Sequence, residues 1–240
     1  MPYIKKTIQA GKTIEVRKYY STRFGVTGVK RAPKFRPTPE EQRRVNERQA
    51  ADTLTWRLNE NFGFGDIHLV LSYAGPAPSR EEARHRLEKF IRAARRYFRQ
   101  QGKEMRYIAV TEYKNRRIHH HLVMENVPIK DLYTMWPHGR PKVFPLDDSG
   151  DYRELAEYLI KETAKTFAEE GSPYKKRWNQ SKNLRAPKIK TEVVSANAWS
   201  RQPRAKKGYY IPPDTIREGV HKENGFPYQY YTMIEIDRRC

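Results

Sequence analysis

Apolar and polar residues alternate from Tyr3 to Tyr20 on either side of Ala10-Gly11, a two-residue period that predicts a β-hairpin. The stretch from Val29 to Pro37 is basic and holds prolines, so it reads as a loop or arm. Thr38, Pro39 and Glu41 then mark a helix start: a capping hydroxyl, a first position without N–H, and a carboxylate that reaches back to the cap. This helix is expected to run to about Asn61. After Gly63-Phe64-Gly65, the apolar run Ile67 to Tyr73 predicts a strand. Ser79-Arg80-Glu81-Glu82 opens a helix whose Ala83, Leu87, Phe90, Ile91, Ala94 and Phe98 fall on one stripe, and Gly102 ends it. Met105 to Tyr113 and Ile118 to Glu125 read as strands joined through Lys114-Asn115-Arg116-Arg117, a tight turn. Ile129 to Trp136 predicts a short helix. Arg140 to Leu146 predicts a strand, weakened by Pro141 and Pro145. Asp151-Tyr152-Arg153-Glu154 opens a last helix that should end near Gly171.

From Ile67 the order is strand, helix, strand, strand, helix, strand, helix. This is the split βαβ, ferredoxin-like order of an α+β fold. It predicts an antiparallel sheet with its two helices on one face and the other face free for a ligand. Three consecutive segments are expected: 1–62 with the hairpin, arm and helix; 63–171 as the core domain; and 172–240 as a basic, partly irregular, Tyr-rich extension.

Composition then points to a partner. The formal net charge is +20 and the sequence pI about 10.0. That excess suits a polyphosphate, because each neutralised phosphate releases a counterion. Lys175, Lys176, Arg177, Lys182, Arg185 and Lys188 concentrate it after Gly171, and the 16 tyrosines add stacking surfaces for unpaired bases. The one cysteine, Cys240, rules out a disulfide framework and a cysteine zinc site, and the cytoplasm is the expected compartment. The start Met1 to Lys6 does not read as a signal peptide. No apolar run approaches the roughly 20 residues of a membrane span, so no membrane partner is expected.

Candidate chemistry sits in two places. In Ile118-His119-His120-His121-Leu122-Val123-Met124, strand alternation puts His119 and His121 on one face. If Asn115-Arg116 is the turn, Glu112 lies across from His119 and Val110 across from His121. One carboxylate and two imidazoles then converge as a set that leaves positions open on a metal ion. A slip of one residue would undo this. His120 falls on the helix-packed face, as a buried, hydrogen-bonded residue. The second place is Glu157-Tyr158-Leu159-Ile160-Lys161-Glu162, where Tyr158 and Lys161 share a helical face with Lys165 one turn on. A tyrosine whose phenol is activated is a nucleophile, and an ammonium beside it stabilises phenolate or holds a phosphate.

Taken together, these features resemble the HUH endonucleases, specifically the single-tyrosine rolling-circle replication initiators of plasmids and small phages. Three stretches carry the resemblance: Leu69-Val70-Leu71-Ser72-Tyr73, Ile118 to Met124, and Ala156-Glu157-Tyr158-Leu159-Ile160-Lys161-Glu162. It spans Ile67 to about Gly171. It implies that Tyr158 attacks a phosphate of single-stranded origin DNA, leaving a 5′-phosphotyrosine and a free 3′-OH. It implies Mg²⁺ or Mn²⁺ on His119, His121 and Glu112, with Lys161 at the phosphate or positioning the metal and nucleophile. Lys165 and the basic residues after Gly171 would contact DNA. Gly11-Lys12-Thr13 lacks the earlier glycine of a P-loop, since Lys6 stands there, so a host helicase and polymerase would be partners. Two alternatives remain: a non-catalytic RRM-like nucleic-acid binder, which shares the strand order but would carry aromatics where His119 and His121 stand, and a single-tyrosine HUH transposase or relaxase.

Overall fold

A computed structural model describes residues 3–21, 24–25, 38–114, 117–168, 177–195, 199–221 and 225–236. In chain order its elements are β1 (Tyr3–Ala10), β2 (Thr13–Tyr20), α1 (Pro39–Asn61), β3 (Ile67–Leu71), α2 (Arg80–Gln100), β4 (Tyr107–Lys114) and β5 (Arg117–Met124). There follow α3 (Ile129–Met135), β6 (Pro141–Pro145), α4 (Arg153–Ala168), β7 (Asn179–Gln180), β8 (Lys188–Val194), β9 (Tyr209–Tyr210), β10 (Arg217–Val220) and β11 (Pro227–Glu235). The fold is α+β, with antiparallel sheets and four α-helices among the described residues. None of these helices is long and apolar enough to cross a membrane.

By compactness the described chain divides into two units. Met1–Arg43 and Ala186–Cys240 make one unit, and Arg44–Arg185 the other, the division falling within α1. The expected arm over 29–37 lies outside the described residues.

The unit Arg44–Arg185 holds a sheet in the order β6-β3-β5-β4-β7. Its strands alternate, so each face has its own core. On one face Leu69, Leu71, Ala109, Leu122 and Met124 meet Leu87, Phe90, Ala94 and Phe98 of α2, with Leu132 and Trp136 at α3. Each fully buried large side chain there contributes roughly 1.5–3 kcal/mol. On the other face Ile108, Val110 and Val123 pack under Leu54 and Leu58 of α1 and Ala156, Leu159 and Ile160 of α4. The expectation of one free face is therefore corrected. Helices cover part of both faces, and the part of the second one left uncovered holds His68, Glu112, His119, His121 and Lys142 together with Val70 and Phe144.

Local chemistry sets the helix ends. At α1, Glu41 Oε2 accepts from the Thr38 N–H at 2.8 Å and Thr38 Oγ1 accepts from the Glu41 N–H at 3.2 Å, the reciprocal cap read from sequence. At α2, Ser79 Oγ accepts from the Glu82 N–H at 3.1 Å. The expected Asp151–Glu154 cap is replaced by a tertiary one. α4 begins at Arg153, and the Tyr152 N–H donates at 2.9 Å to Oδ1 of Asn59 on α1. Asn59 Nδ2 in turn donates to Asp151 Oδ1 at 3.1 Å, so Asp151 is engaged elsewhere. The prolines of β6 are tolerated because β6 is the edge strand, where a missing N–H breaks no ladder.

The other unit is a sheet in the order β10-β11-β2-β1-β8, with β9 also on β11. β11 pairs with β2 from Tyr228↔Tyr19 to Ile234↔Thr13, and β8 pairs with β1. The expected irregular extension thus supplies strands on both sides of the N-terminal hairpin. Ile14, Val16, Tyr231 and Met233 form its core.

Candidate functional site

The hairpin β4–β5 sets the site. Glu112 pairs with His119 and Val110 with His121, the register that places Glu112, His119 and His121 on one face. Its turn residues, 115–116, lie outside the described residues. β3 extends the same face, because Val70 pairs with His121 and His68 with Val123. β6 adds Lys142 across from Val70 and Phe144 across from His68. α4 lays Tyr158 against this face, with its ring edge-on to His121 at 5.6 Å between centroids. These eight positions — His68, Val70, Glu112, His119, His121, Lys142, Phe144 and Tyr158 — line a cleft of about 390 Å³.

Glu112 and His121 are only 5% and 4% exposed, whereas Tyr158 is 43% exposed. A hydrogen-bonded row runs through the cleft. His121 Nε2 lies 3.3 Å from Glu112 Oε2, and His68 Nε2 lies 3.1 Å from His121 Nδ1. Phe144 stacks on the far side of His68 at 5.7 Å. Burial, with His119 beside it, pushes His121 down to about 4 against the opposing pull of Glu162. Burial, then His121, pushes His68 to about 4 as well. Both imidazoles are therefore neutral at pH 7. With Glu112 accepting, the His121 proton sits on Nε2, and Nδ1 accepts from His68. Burial raises the Tyr158 phenol above its usual range, with Glu112 and Glu162 adding to the shift, so the phenol keeps its proton.

His120 points to the opposite face, as expected, and is fully buried. Its Nδ1 meets Thr111 Oγ1 at 2.9 Å and its Nε2 meets the Tyr73 hydroxyl at 2.7 Å. Tyr73 donates onward to the Ala83 carbonyl, so it accepts from His120 Nε2–H and the Thr111 hydroxyl donates to Nδ1.

The donor set suits a hard or borderline divalent ion: a carboxylate with neutral imidazoles, one of them oriented from behind by a second ring. Among the described residues, however, no three His, Cys, Asp or Glu side chains are already spaced to hold an ion. At His121, Nε2 is engaged with Glu112 Oε2. Ligation through Nε2 requires its proton to move to Nδ1, where His68 can accept it.

The remaining expected residues are dispersed. Lys161 is exposed and does not line the cleft. The Lys165 side chain, and Lys175 and Lys176 altogether, lie outside the described residues. Arg177 is half-buried and Lys182 exposed. Arg185 is tied to the end of α1, with Nε 3.5 Å from Glu60 Oε1 and its N–H donating to Asn61 Oδ1 at 2.7 Å. Lys188 is exposed on β8, in the other unit.

Reading the sequence missed His68, Lys142 and Phe144. The signal existed: alternation pairs His68 with Val70 and Lys142 with Phe144, and the split βαβ order makes the first strand a neighbour of the histidine strand.

The fold and site are those of a small α+β unit with a tyrosine poised over a carboxylate–histidine row. Residues 66–167, fewer than half of the 240, match the model of a family described as replication-associated protein ORF2/G2P. The matched stretch begins just before β3, ends near the close of α4, and contains the whole cleft. Comparison with curated proteins and with solved structures yields no match.

Proposed function

We propose that this chain is a replication initiator that nicks and rejoins single-stranded DNA at an origin, in the manner of single-tyrosine HUH endonucleases. The observation that carries the reading is Tyr158 edge-on to His121 at 5.6 Å, over a cleft that Glu112 and His119 also line. The strand order β6-β3-β5-β4, all antiparallel, supports the ferredoxin-like reading. The family described as replication-associated supports the biological role.

In this reading Tyr158 Oη forms a bond to phosphorus and the bond to the 3′-oxygen breaks. The phenol gives up its proton and the leaving 3′-oxygen takes one up, so no net proton is lost. The products are a 5′-phosphotyrosine and a 3′-OH that primes synthesis; rejoining reverses the step. Mg²⁺ or Mn²⁺, held by Glu112, His119 and His121, would polarise the phosphate and stabilise its developing charge. His68 orients His121 from behind. Burial, with Glu112 and Glu162 adding to it, raises the Tyr158 phenol, so phosphate and cation must be bound before it is activated. Duplex opening and polymerisation fall to a host helicase and polymerase.

The test is incubation with 3′-end-labelled single-stranded DNA and Mn²⁺, followed by denaturing electrophoresis. Wild-type protein should carry a covalent DNA label and Tyr158→Phe none. Equal labelling of both proteins would sink the assignment.

A further inference from the structure

We propose that the sheet built from the two ends of the chain carries its own binding cleft for an unpaired DNA strand, separate from the Tyr158 site. Tyr3 and Tyr20 are cross-strand partners at one end of β1 and β2, so their rings share a face. They meet edge-to-face at 5.5 Å. Trp199 lies edge-on to Tyr3 at 4.7 Å, and Phe226 stacks on Tyr20 at 3.8 Å. Beside these rings opens a cleft of about 450 Å³, lined by Tyr3, Trp199, Arg201, Glu218, Val220 and Pro227 among others. Its volume falls in the range of roughly 300–1,000 Å³ typical of small-molecule sites.

The chemistry of the walls selects the occupant. Aromatic rings stack on bases of any sequence once those bases are unpaired. The exposed Arg201 suits a phosphate, and the exposed Glu218 can accept from an exocyclic amino group. Lys5 and Lys18 fall on the ring-bearing face by strand parity, with Glu192 of β8 across from Lys5, in a chain of net charge +20. The cleft is also fixed in place. Gln229 is fully buried on β11, and its Nε2 donates to the carbonyls of Ser200 at 2.8 Å and Arg201 at 3.0 Å. Lys18 Nζ donates to Gln229 Oε1 at 3.1 Å. The segment bearing Trp199 and Arg201 is thereby pinned to the sheet before any ligand arrives, which spares the ordering cost of binding.

The experiment uses the full chain, a dT20 oligonucleotide and the matching 20-base-pair duplex, with EDTA present so that binding is read without cleavage. Trp199 is one of four tryptophans. dT20 should quench the fluorescence, and Trp199→Phe should remove most of the quench while keeping affinity within about twofold, because a ring remains to stack. Trp199→Ala should weaken dT20 binding about tenfold. Arg201→Ala should lower the slope of log K against log salt by about 0.7, the share of one single-strand phosphate contact. Circular dichroism and thermal melting check that each variant is folded. Unchanged affinity in folded Trp199→Ala would overturn the proposal, as would equal binding of duplex and dT20. Self-association that Trp199→Ala abolishes without altering DNA affinity would also overturn it, making the cleft a contact between copies. None of these outcomes depends on whether Tyr158 is a nucleophile.

Discussion

Nε2 of His68 lies 3.1 Å from Nδ1 of His121, two strands of one sheet joined ring to ring behind the carboxylate of Glu112. A neutral His68 can donate to or accept from that nitrogen, so it can follow the His121 proton when Nε2 is needed for a cation. His68→Ala should weaken Mn²⁺ binding roughly 10–100-fold, the usual cost of losing a group that orients a metal-bound histidine. Isothermal calorimetry or Mn²⁺ electron paramagnetic resonance on the free protein measures it. An unchanged affinity would remove His68 from the site. His121→Ala and Glu112→Gln should lose more than His68→Ala does.

The cation of the cleft comes from β6. Lys142 lines it with Tyr158, whereas Lys161 is exposed on α4 away from the lining. Lys142→Ala should slow DNA nicking at saturating Mn²⁺ by at least tenfold and Lys161→Ala by less, measured as single-turnover rates on a labelled oligonucleotide. The reverse ranking would restore Lys161 as the phosphate contact.

Acid should unfold the metal-free protein earlier than its charge alone would. Burial holds His68 and His121 down to about 4 and His120 to about 3, while the unfolded chain takes up these protons near 6.5. Between those values the unfolded state binds more protons, so stability is complete above about pH 6.5 and falls as pH drops toward 4. Each buried histidine adds up to ~1.4 kcal/mol per pH unit to the slope. Urea titrations at pH 7, 6 and 5 in EDTA measure it; an equal midpoint at all three would refute the burial of these rings.

Gly139 has no room for a side chain. A Cβ there would lie 2.2 Å from the Ser72 carbonyl oxygen, the same oxygen that accepts from Trp136 Nε1–H at 2.8 Å. Gly139→Ala should force the segment into β6 away from the end of β3 at a cost of about 1–3 kcal/mol. Melting temperature should fall by roughly 2–4 °C per kcal/mol.

How much of this was legible in the residues depended on how local each cause was. The β4–β5 register was readable, because a two-residue link leaves one pairing, and with it came the shared face of Glu112, His119 and His121. The start of α1 was readable for the same reason: Thr38 and Glu41 satisfy one another. The start of α4 was not, because its cap is Asn59, 93 residues from Tyr152. Nor was the coverage of the second sheet face, since α1 precedes the strand–helix repeat and nothing local says where it docks. The strands β8 to β11 were hidden by composition. Lysines recur along β8 and tyrosines along β11 as they do in solvated chain, and only pairing of these strands to β1 and β2 gives the pattern an inside. Lys142 was not legible because Pro141 and Pro145 mark a weak strand without saying that it pairs beside His68 at the sheet edge.

The chain topology also sets an order of events during synthesis. β1 and β2 leave the ribosome well before their sheet neighbours β8 and β11. Until then the hairpin has two unpaired edges, a condition that invites pairing with other chains. Residues 44–185 emerge as one contiguous stretch holding all five strands of their own sheet, so that unit can fold while the hairpin still waits. Nascent chains arrested before Pro227 should therefore already bury Leu122 and Trp136, while Tyr3 to Tyr20 stay open to protease and to chaperones.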